Sequence, residues 1–414
     1  MNSRSTNKIK TINDPVYGFI TIPSELVFDV MEHPFFQRLR RIKQLGLTNY
    51  VYPSAHHTRF QHALGAMHLM QQAVRVLRSK GVEVSHEESQ GLCLAILLHD
   101  IGHGPFSHTL EQSIVKGLSH EEISDLFITE LNRQFDGRLE LAGQIFRGTY
   151  GKKFLHQLVS SQLDMDRLDY LSRDSFFTGV AEGTINTDRI INMLTVCNDE
   201  LVVEAKGIYS IEKFIIARRL MYWQVYLHKA VLAADQMLVN ILRRAKSLGE
   251  TEKDIPSTPA FRMFLVNQVG KEEFLNDPVW LERFALLDDF DIITSIKLWM
   301  EHPDKTLSIL CRSLILRNLF RMEIKNEPFN PDYVGKIREA TALKYHLTPE
   351  ETGYFVNTDI VQNHAYNPRH DKILIRTGDC QLTDIATASE QLDIAVLSTT
   401  VSKYLLGYPK DIKI

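Results

Sequence analysis

The stretch Leu92-Cys93-Leu94-Ala95-Ile96-Leu97-Leu98-His99-Asp100-Ile101-Gly102-His103-Gly104-Pro105 decides how this chain is read. Its first seven residues are apolar on every side, and a helix apolar all round is a buried helix. Ser85, with Glu88 three residues on, is the capping-box signature that starts it. Two glycines and a proline end it sharply after His99-Asp100. An aspartate at the end of a buried helix needs a cation or several hydrogen bonds to offset its desolvation. Histidine is concentrated around this point: nine of the 16 lie between His56 and His120, which indicates a metal or phosphate site.

Two adjacent ligands cannot complete a coordination shell, so partners are sought outward. His62 lies upstream, on a helix predicted over Phe60 to Arg78. Asp166 lies downstream, in Leu163-Asp164-Met165-Asp166-Arg167-Leu168-Asp169-Tyr170. Asp164 and Asp169 compete with Asp166 for the role. His62, His99, Asp100 and Asp166 give two imidazoles and two carboxylates from three helices, with positions left for water and a phosphate oxygen. That donor set suits Mn, Fe, Zn or Mg, and ligand type alone does not choose among them.

The remaining sequence sets the frame. The chain has 414 residues, 44% apolar and 24% charged, which fits an ordinary globular protein of two to three domains or one large domain with appendages. A net charge of −4 does not suit a protein that coats nucleic acid, although weak binding through a local basic patch stays open. Cys93, Cys197, Cys311 and Cys380 form no C-x-x-C pair and are expected to be reduced thiols of a cytoplasmic protein. Met1 to Lys10 has no apolar core, so no signal peptide is expected, and no apolar run reaches the ~18–20 residues of a membrane span.

Helical spacing recurs over Ser24 to Leu47, interrupted at Pro34, and its basic run Arg38 to Lys43 reads as either a solvated face or an interface. Further helices are expected at Ser107–Lys116, His120–Gln134, Asp164–Arg173 and Thr187–Leu194, with one long amphipathic helix over Tyr209–Ser247. In that helix the stripe Tyr222, Trp223, Tyr226 reads as core packing, with Tyr226 the exception. Leu201–Glu204, Lys372–Arg376 and Ile394–Leu397 are β-like, and Asn357–Pro368 resembles a loop. The expected architecture is mostly α, a helical core over residues 1–327 with a small α+β C-terminal portion over 328–414.

The pattern His62, His99-Asp100, Asp166 resembles the HD-domain metal-dependent phosphohydrolases. Longer strings narrow the resemblance: Asp14-Pro15-Val16-Tyr17-Gly18, Phe36 to Gly46, His57-Thr58-Arg59-Phe60-Gln61-His62-Ala63-Leu64-Gly65, His99 to His108, and Leu168 to Asp174. Over roughly residues 10 to 245 they are similar to the deoxynucleoside triphosphate triphosphohydrolases, which include bacterial dGTPases and a human dNTPase with a sterile-alpha-motif domain. No such domain is expected from the residues ahead of the HD region.

The resemblance implies metal ligation by His62, His99, Asp100 and Asp166. It makes His108 the general acid, oriented by Glu111, and puts His103, His120, Arg59 and Arg167 on the phosphates, Arg167 standing where the family often has lysine. Tyr170 and Asp174 would lie near the deoxyribose 3′-hydroxyl, Gln44 and Leu45 at the sugar, and Arg218 and Tyr226 in the rest of the pocket. Lys10, Glu32, Gln37 and Arg40 match effector-site positions. Two departures stand out: Leu227 replaces a glutamine near the base, and Glu32 replaces an aspartate that reads guanine. The implied activity is hydrolysis of a dNTP at the α-phosphorus to deoxynucleoside and triphosphate, in a homo-oligomer (dimer or tetramer). The rivals are another HD phosphohydrolase reaction, and a nucleotide-sensing or nucleic-acid-binding protein with an idle site.

Overall fold

In a computed structural model, residues 10–252, 255–363, 366–367, 371–390 and 401–413 are described, and the side chains of His108, Glu252 and Asn363 lie outside that description. The chain is mostly α, as its periodicity predicts. Six helices frame the site: α1 (Arg59–Ser79), α2 (His86–Leu98), α3 (His120–Gln134), α4 (Met165–Thr178), α5 (Ile208–Met221) and α6 (Lys229–Glu252).

Their starts are written locally. Thr58 with Gln61, Ser85 with Glu88 and Ser119 with Glu122 form capping boxes at α1, α2 and α3. Asp164 caps α4 by accepting from the Arg167 amide at 2.7 Å. Gly179, at φ +74°, ends α4 in a left-handed conformation that costs glycine little. Helix α2 is the hub: Leu92 through Leu98 are each at most 1% exposed, packed between α1 and a helix at Glu140–Arg147.

Three small sheets complete the fold. β1 (Thr11–Asp14) and β2 (Gly18–Thr21) form a hairpin. The second sheet has the order β3 (Leu194–Cys197), β4 (Glu200–Glu204), β7 (Leu374–Thr377), β8 (Gln381–Asp384). The third has the order β5 (Arg321–Lys325), β9 (Val401–Tyr408), β6 (Asn357–Asn363). β7 adds to β4 in parallel, Val202 opposite Leu374, so late sequence completes an early sheet.

Several expectations are corrected. The helix expected over Tyr209–Ser247 is broken: α5 gives way to a π-turn at Tyr222–Tyr226, where the Leu227 amide reaches the Tyr222 carbonyl at 2.8 Å, and α6 restarts at Lys229. Residues 107–116 form two short turns, Ser107–Thr109 and Glu111–Ile114, because Phe106 and Ser107 take positive φ angles. The region expected as a loop from Asn357 contains β6, whose partner β9 lies about forty residues away. Ile394–Leu397 lies outside the described residues. The cysteines are not all reduced: Cys197 and Cys380 are joined in a disulfide, brought together by the β4–β7 pairing, while Cys93 and Cys311 are free and buried. That removes the thiol argument for a cytoplasmic protein. Among the described residues no helix is long and apolar enough to cross a membrane.

Candidate metal centre and active site

Helices α1, α2 and α4 deliver one donor group each. His62 Nε2 lies 3.1 Å from Asp166 Oδ1, and His99 Nε2 lies 3.4 Å from the same oxygen. The three ligand atoms sit within 4.8 Å of one another, close enough to share one ion. Asp100 is turned partly aside. Its Oδ1 is 3.4 Å from His99 Nε2 and its Oδ2 is 3.6 Å from His62 Nε2, while Arg59 clasps Oδ2.

The surrounding bonds show what the centre is built for. His62 Nδ1 contacts Asp169 Oδ2 at 2.7 Å, and His99 Nδ1 contacts the Ile96 carbonyl at 2.6 Å. Each partner is an acceptor, so each Nδ1 carries a proton and each Nε2 is the atom that can bind a cation once it gives up any proton of its own. Those two Nε2 atoms face each other at 3.3 Å, an arrangement that a proton or a cation between them relieves. Burial disfavours the His62 imidazolium, yet Asp166 and Asp169 outweigh it and lift its pKa to about 10. Burial likewise opposes ionised Asp166, and the bonds from His62 and His99 overcome it and hold its pKa well down. The donor set fits a divalent ion by charge and by ligand type.

Asp169 is itself held by Arg173, which donates from Nε to Oδ2 at 2.9 Å and from Nη2 to Oδ1 at 3.0 Å. Arg173 Nη1 then reaches Asp14 Oδ2 at 2.7 Å, which explains why the Asp14-Pro15-Val16-Tyr17-Gly18 string matters to a site far along the chain. Gly65 lets this pair approach α1, since a Cβ there would fall 1.9 Å from Asp169 Oδ1. Gly102 does the same for the turn after α2: a Cβ would meet the His120 carbonyl oxygen at 2.2 Å and the Ser124 amide nitrogen at 2.3 Å.

A cavity of about 420 Å³ opens beside Asp100 and Asp166. Of the expected site residues, Gln44, Leu45, Arg59, His103, His120, Arg167, Tyr170, Asp174 and Tyr226 line it. His103 and His120 stack with ring centroids 3.9 Å apart. Their proton affinities differ. Burial and the Arg59 charge hold His103 well below the usual imidazole range. Burial also opposes a charge on His120, but Glu111, whose Oε1 meets His120 Nδ1 at 2.8 Å, raises it. One ring resists a proton and its neighbour favours one, facing the same space. The His108 backbone lies in the Ser107–Thr109 turn, and its side chain is outside the described residues.

Other expected residues stand elsewhere. Arg218 is set behind the lining, 9% exposed, donating to Gln162 Oε1 at 3.1 Å. Lys10 lies over the Phe28 ring, Arg40 lies over Phe60 and donates to Gln37, and Glu32 is exposed; none of these four lines the cavity. Tyr226 lines the cavity as expected and Tyr222 joins it there, which corrects the core reading for Tyr222, while Trp223 lies outside the lining under Lys403 Nζ.

Two residues escaped sequence reasoning. Arg38, in the run read as a solvated face or interface, is fully buried and donates to the carbonyls of Ile101, His103 and Leu287 at 2.6, 3.0 and 3.3 Å. It ties down the turn carrying Asp100 and His103. Asp289 accepts from the amides of Lys43 and Phe106 at 3.0 and 2.8 Å, joining two loops that border the cavity. His57 is buried too, its Nε2 2.7 Å from Asp174 Oδ1, while the Tyr226 hydroxyl donates to Asp174 Oδ2 at 2.7 Å.

Comparison with known proteins agrees with this architecture. Residues 59–174 match the HD domain and residues 185–257 match the HD associated region. The uncharacterized protein YwfO of Bacillus subtilis is 32% identical over 419 residues, covering 97% of this chain and 93% of that protein. The human deoxynucleoside triphosphate triphosphohydrolase SAMHD1 is 32% identical over 281 residues, 57% of this chain and 45% of that one. A crystal structure of a phosphohydrolase from Bacteroides thetaiotaomicron superposes with a TM-score of 0.94 at 52% identity, covering 97% of this chain and 99% of that one. With paired imidazoles and carboxylates beside a cation-lined cavity, and a full-length structural match, the chain belongs to the HD-domain phosphohydrolase family.

Proposed function

We propose that this protein hydrolyses deoxynucleoside triphosphates to deoxynucleoside and inorganic triphosphate, with a divalent metal held by His62, His99 and Asp166 and with Asp100 alongside. The observation that carries the reading is the convergence of those ligand atoms beside a cavity that Asp166 reaches and whose wall holds Arg59, Arg167, His103 and His120. A triphosphate carries about four negative charges and needs fixed donors of this kind. The similarity to SAMHD1, which is named for this reaction, supports the choice of substrate.

The chain's own groups have distinct parts in the reaction. Arg59 and Arg167 neutralise phosphate oxygens, and neutral His103 donates a hydrogen bond. His120, whose proton Glu111 helps to hold, and His108 are the proton donors offered to the leaving 5′-oxygen. Tyr170 and the Asp174–Tyr226 pair form the sugar-side wall. A bound divalent ion supplies Lewis-acid polarisation of the phosphate and a more acidic water. The same reading gives a homo-oligomer with a nucleotide effector near Lys10, Glu32, Gln37 and Arg40.

The test is product analysis. Purified protein is incubated with each of the four dNTPs, singly and mixed, with Mn(II), Mg(II), Fe(II) or Zn(II). Release of inorganic triphosphate, lost in Asp166→Ala, supports the reading. Orthophosphate as the sole product points to another HD phosphohydrolase reaction, and no metal-dependent turnover at all supports the idle-site reading.

A further inference from the structure

Five carboxyl side chains line the cavity: Asp100, Glu121, Asp166, Asp174 and Asp235. Four have a partner that explains them. Asp100 has Arg59, Asp166 has the two imidazoles, Asp174 has His57 and Tyr226, and Glu121 lies 3.4 Å from His120 Nε2. Asp235 differs. Among the described side chains, only the Thr109 hydroxyl acts on it besides burial itself. Asp235 is half-buried and opens onto the cavity, and a carboxyl so far withdrawn from water without a cation gains from a donor that a ligand brings.

Its place narrows what that donor can be. Asp235 and Val231 lie four residues apart on α6, so they share a helical face, and both reach the cavity. Thr109 stands close to Gly46, whose added Cβ would lie 4.0 Å from Thr109 Oγ1. Among the described side chains, Gly46, Thr109, Val231 and Asp235 make a wall patch without a cationic group of its own. The phosphate-attracting cations are grouped with Asp100 and Asp166 instead. A carboxyl repels a triphosphate, so the part of the ligand beside Asp235 is neutral and carries hydrogen-bond donors. In a deoxynucleotide that is the base or the sugar hydroxyl, and the reading above gives the sugar to Tyr170, Asp174 and Tyr226.

We infer that Asp235 reads the hydrogen-bonding edge of the nucleobase and favours bases with an exocyclic amine, guanine above all, over thymine. This rests on the dNTP reading above. As a carboxylate, Asp235 accepts both the N1–H and the amino N–H of guanine. As a carboxylic acid it donates to a ring nitrogen and accepts from the amine of adenine or cytosine. Both forms are accessible near neutrality, because burial pushes its pKa up to about 7. Thymine offers one N–H between two carbonyls, so the second carboxylate oxygen faces a carbonyl and is repelled.

The experiment compares wild type, Asp235→Asn and Asp235→Ala. It measures kcat/KM for dGTP, dATP, dCTP and dTTP through triphosphate release, and binding of the same nucleotides to chelator-treated protein by calorimetry. The expected wild-type preference for dGTP over dTTP is roughly tenfold or more, the worth of one charge-assisted hydrogen bond. Asp235→Asn offers one donor and one acceptor, complements thymine, and lowers that ratio by about the same factor. Asp235→Ala flattens the preference. A ratio unchanged in both variants overturns the proposal. Wild type that binds dGTP in an Asp235-dependent way but turns over no dNTP would sink hydrolysis and keep base reading. Wild type that binds none of the four sinks both.

Discussion

Gly102→Ala is the sharpest probe of how the metal-bearing turn is seated. The new Cβ would lie 2.2 Å from the His120 carbonyl oxygen and 2.3 Å from the Ser124 amide nitrogen, both backbone atoms of α3. An ordinary contact is about 3.2–3.4 Å, so the turn or the helix must move by about 1 Å. Gly102 also donates to Ser124 Oγ at 2.9 Å, and that hydroxyl donates to the His99 carbonyl at 2.8 Å. Overpacking costs about 1–3 kcal/mol and each lost bond about 1 kcal/mol, giving a loss of about 2–4 kcal/mol. Because His99 and Asp100 precede the moved residue and His103 follows it, a shift of about 1 Å lowers kcat by roughly 100-fold. Urea unfolding gives the first quantity and triphosphate release the second. Ser124→Ala, which removes the hydroxyl bridge without the clash, is expected to lose only the bond portion. A Gly102→Ala protein within ~0.5 kcal/mol of wild type and with unchanged kcat would refute the claim that this contact seats the turn.

Arg38→Met separates stability from activity. Burial lowers the Arg38 pKa to about 9, so its charge costs about 5 kcal/mol to keep inside, and removing it offsets most of the three lost carbonyl bonds. Unfolding free energy therefore falls by no more than about 4 kcal/mol, while kcat drops because the Asp100–His103 turn loses its tether; unchanged kcat in a folded variant counts against that role. Asp289 gives a pH signature. Burial raises its pKa from 3.8 to about 6, so the folded state binds the extra proton, and stability falls by about 3 kcal/mol as pH rises from 4 to 6. Unfolding measured across that window should show a shallower slope in Asp289→Asn, and an identical slope would contradict the assignment. Adding Mn(II) at about 100 times its Kd is expected to stabilise wild type by about 2.7 kcal/mol and leave Asp166→Ala unmoved, as read by thermal unfolding. An equal shift in both proteins would place the ion elsewhere.

What was legible in the sequence followed from how local each signal is. The caps of α1, α2 and α3 depend on residues three apart, and the burial of Leu92–Leu98 on composition alone, so both were readable. His62, His99 and Asp166 were readable as an ordered pattern. Asp169 was not separable from its neighbours, because only the fold shows which carboxylate faces His62 Nδ1 and Arg173. Arg38 sits in a run of basic residues, and nothing in that run marks the one whose guanidinium turns inward. The break between α5 and α6 contains no glycine or proline; its trace is His228, whose Nδ1 accepts from the Ala230 amide at 3.2 Å to restart the helix. The β4–β7 pairing and the Cys197–Cys380 bond join segments so distant that no local pattern announces them.

The chain of charges from Asp14 through Arg173 and Asp169 to His62 spans 159 positions between its first two members. His99 is oriented within its own helix by the Ile96 carbonyl, but the support of His62 is complete only when the beginning of the chain has closed over α4. Ion uptake should consequently mark the last stage of maturation. A fragment or a stalled folding species would bind the metal loosely, which keeps half-built copies from acting on substrate.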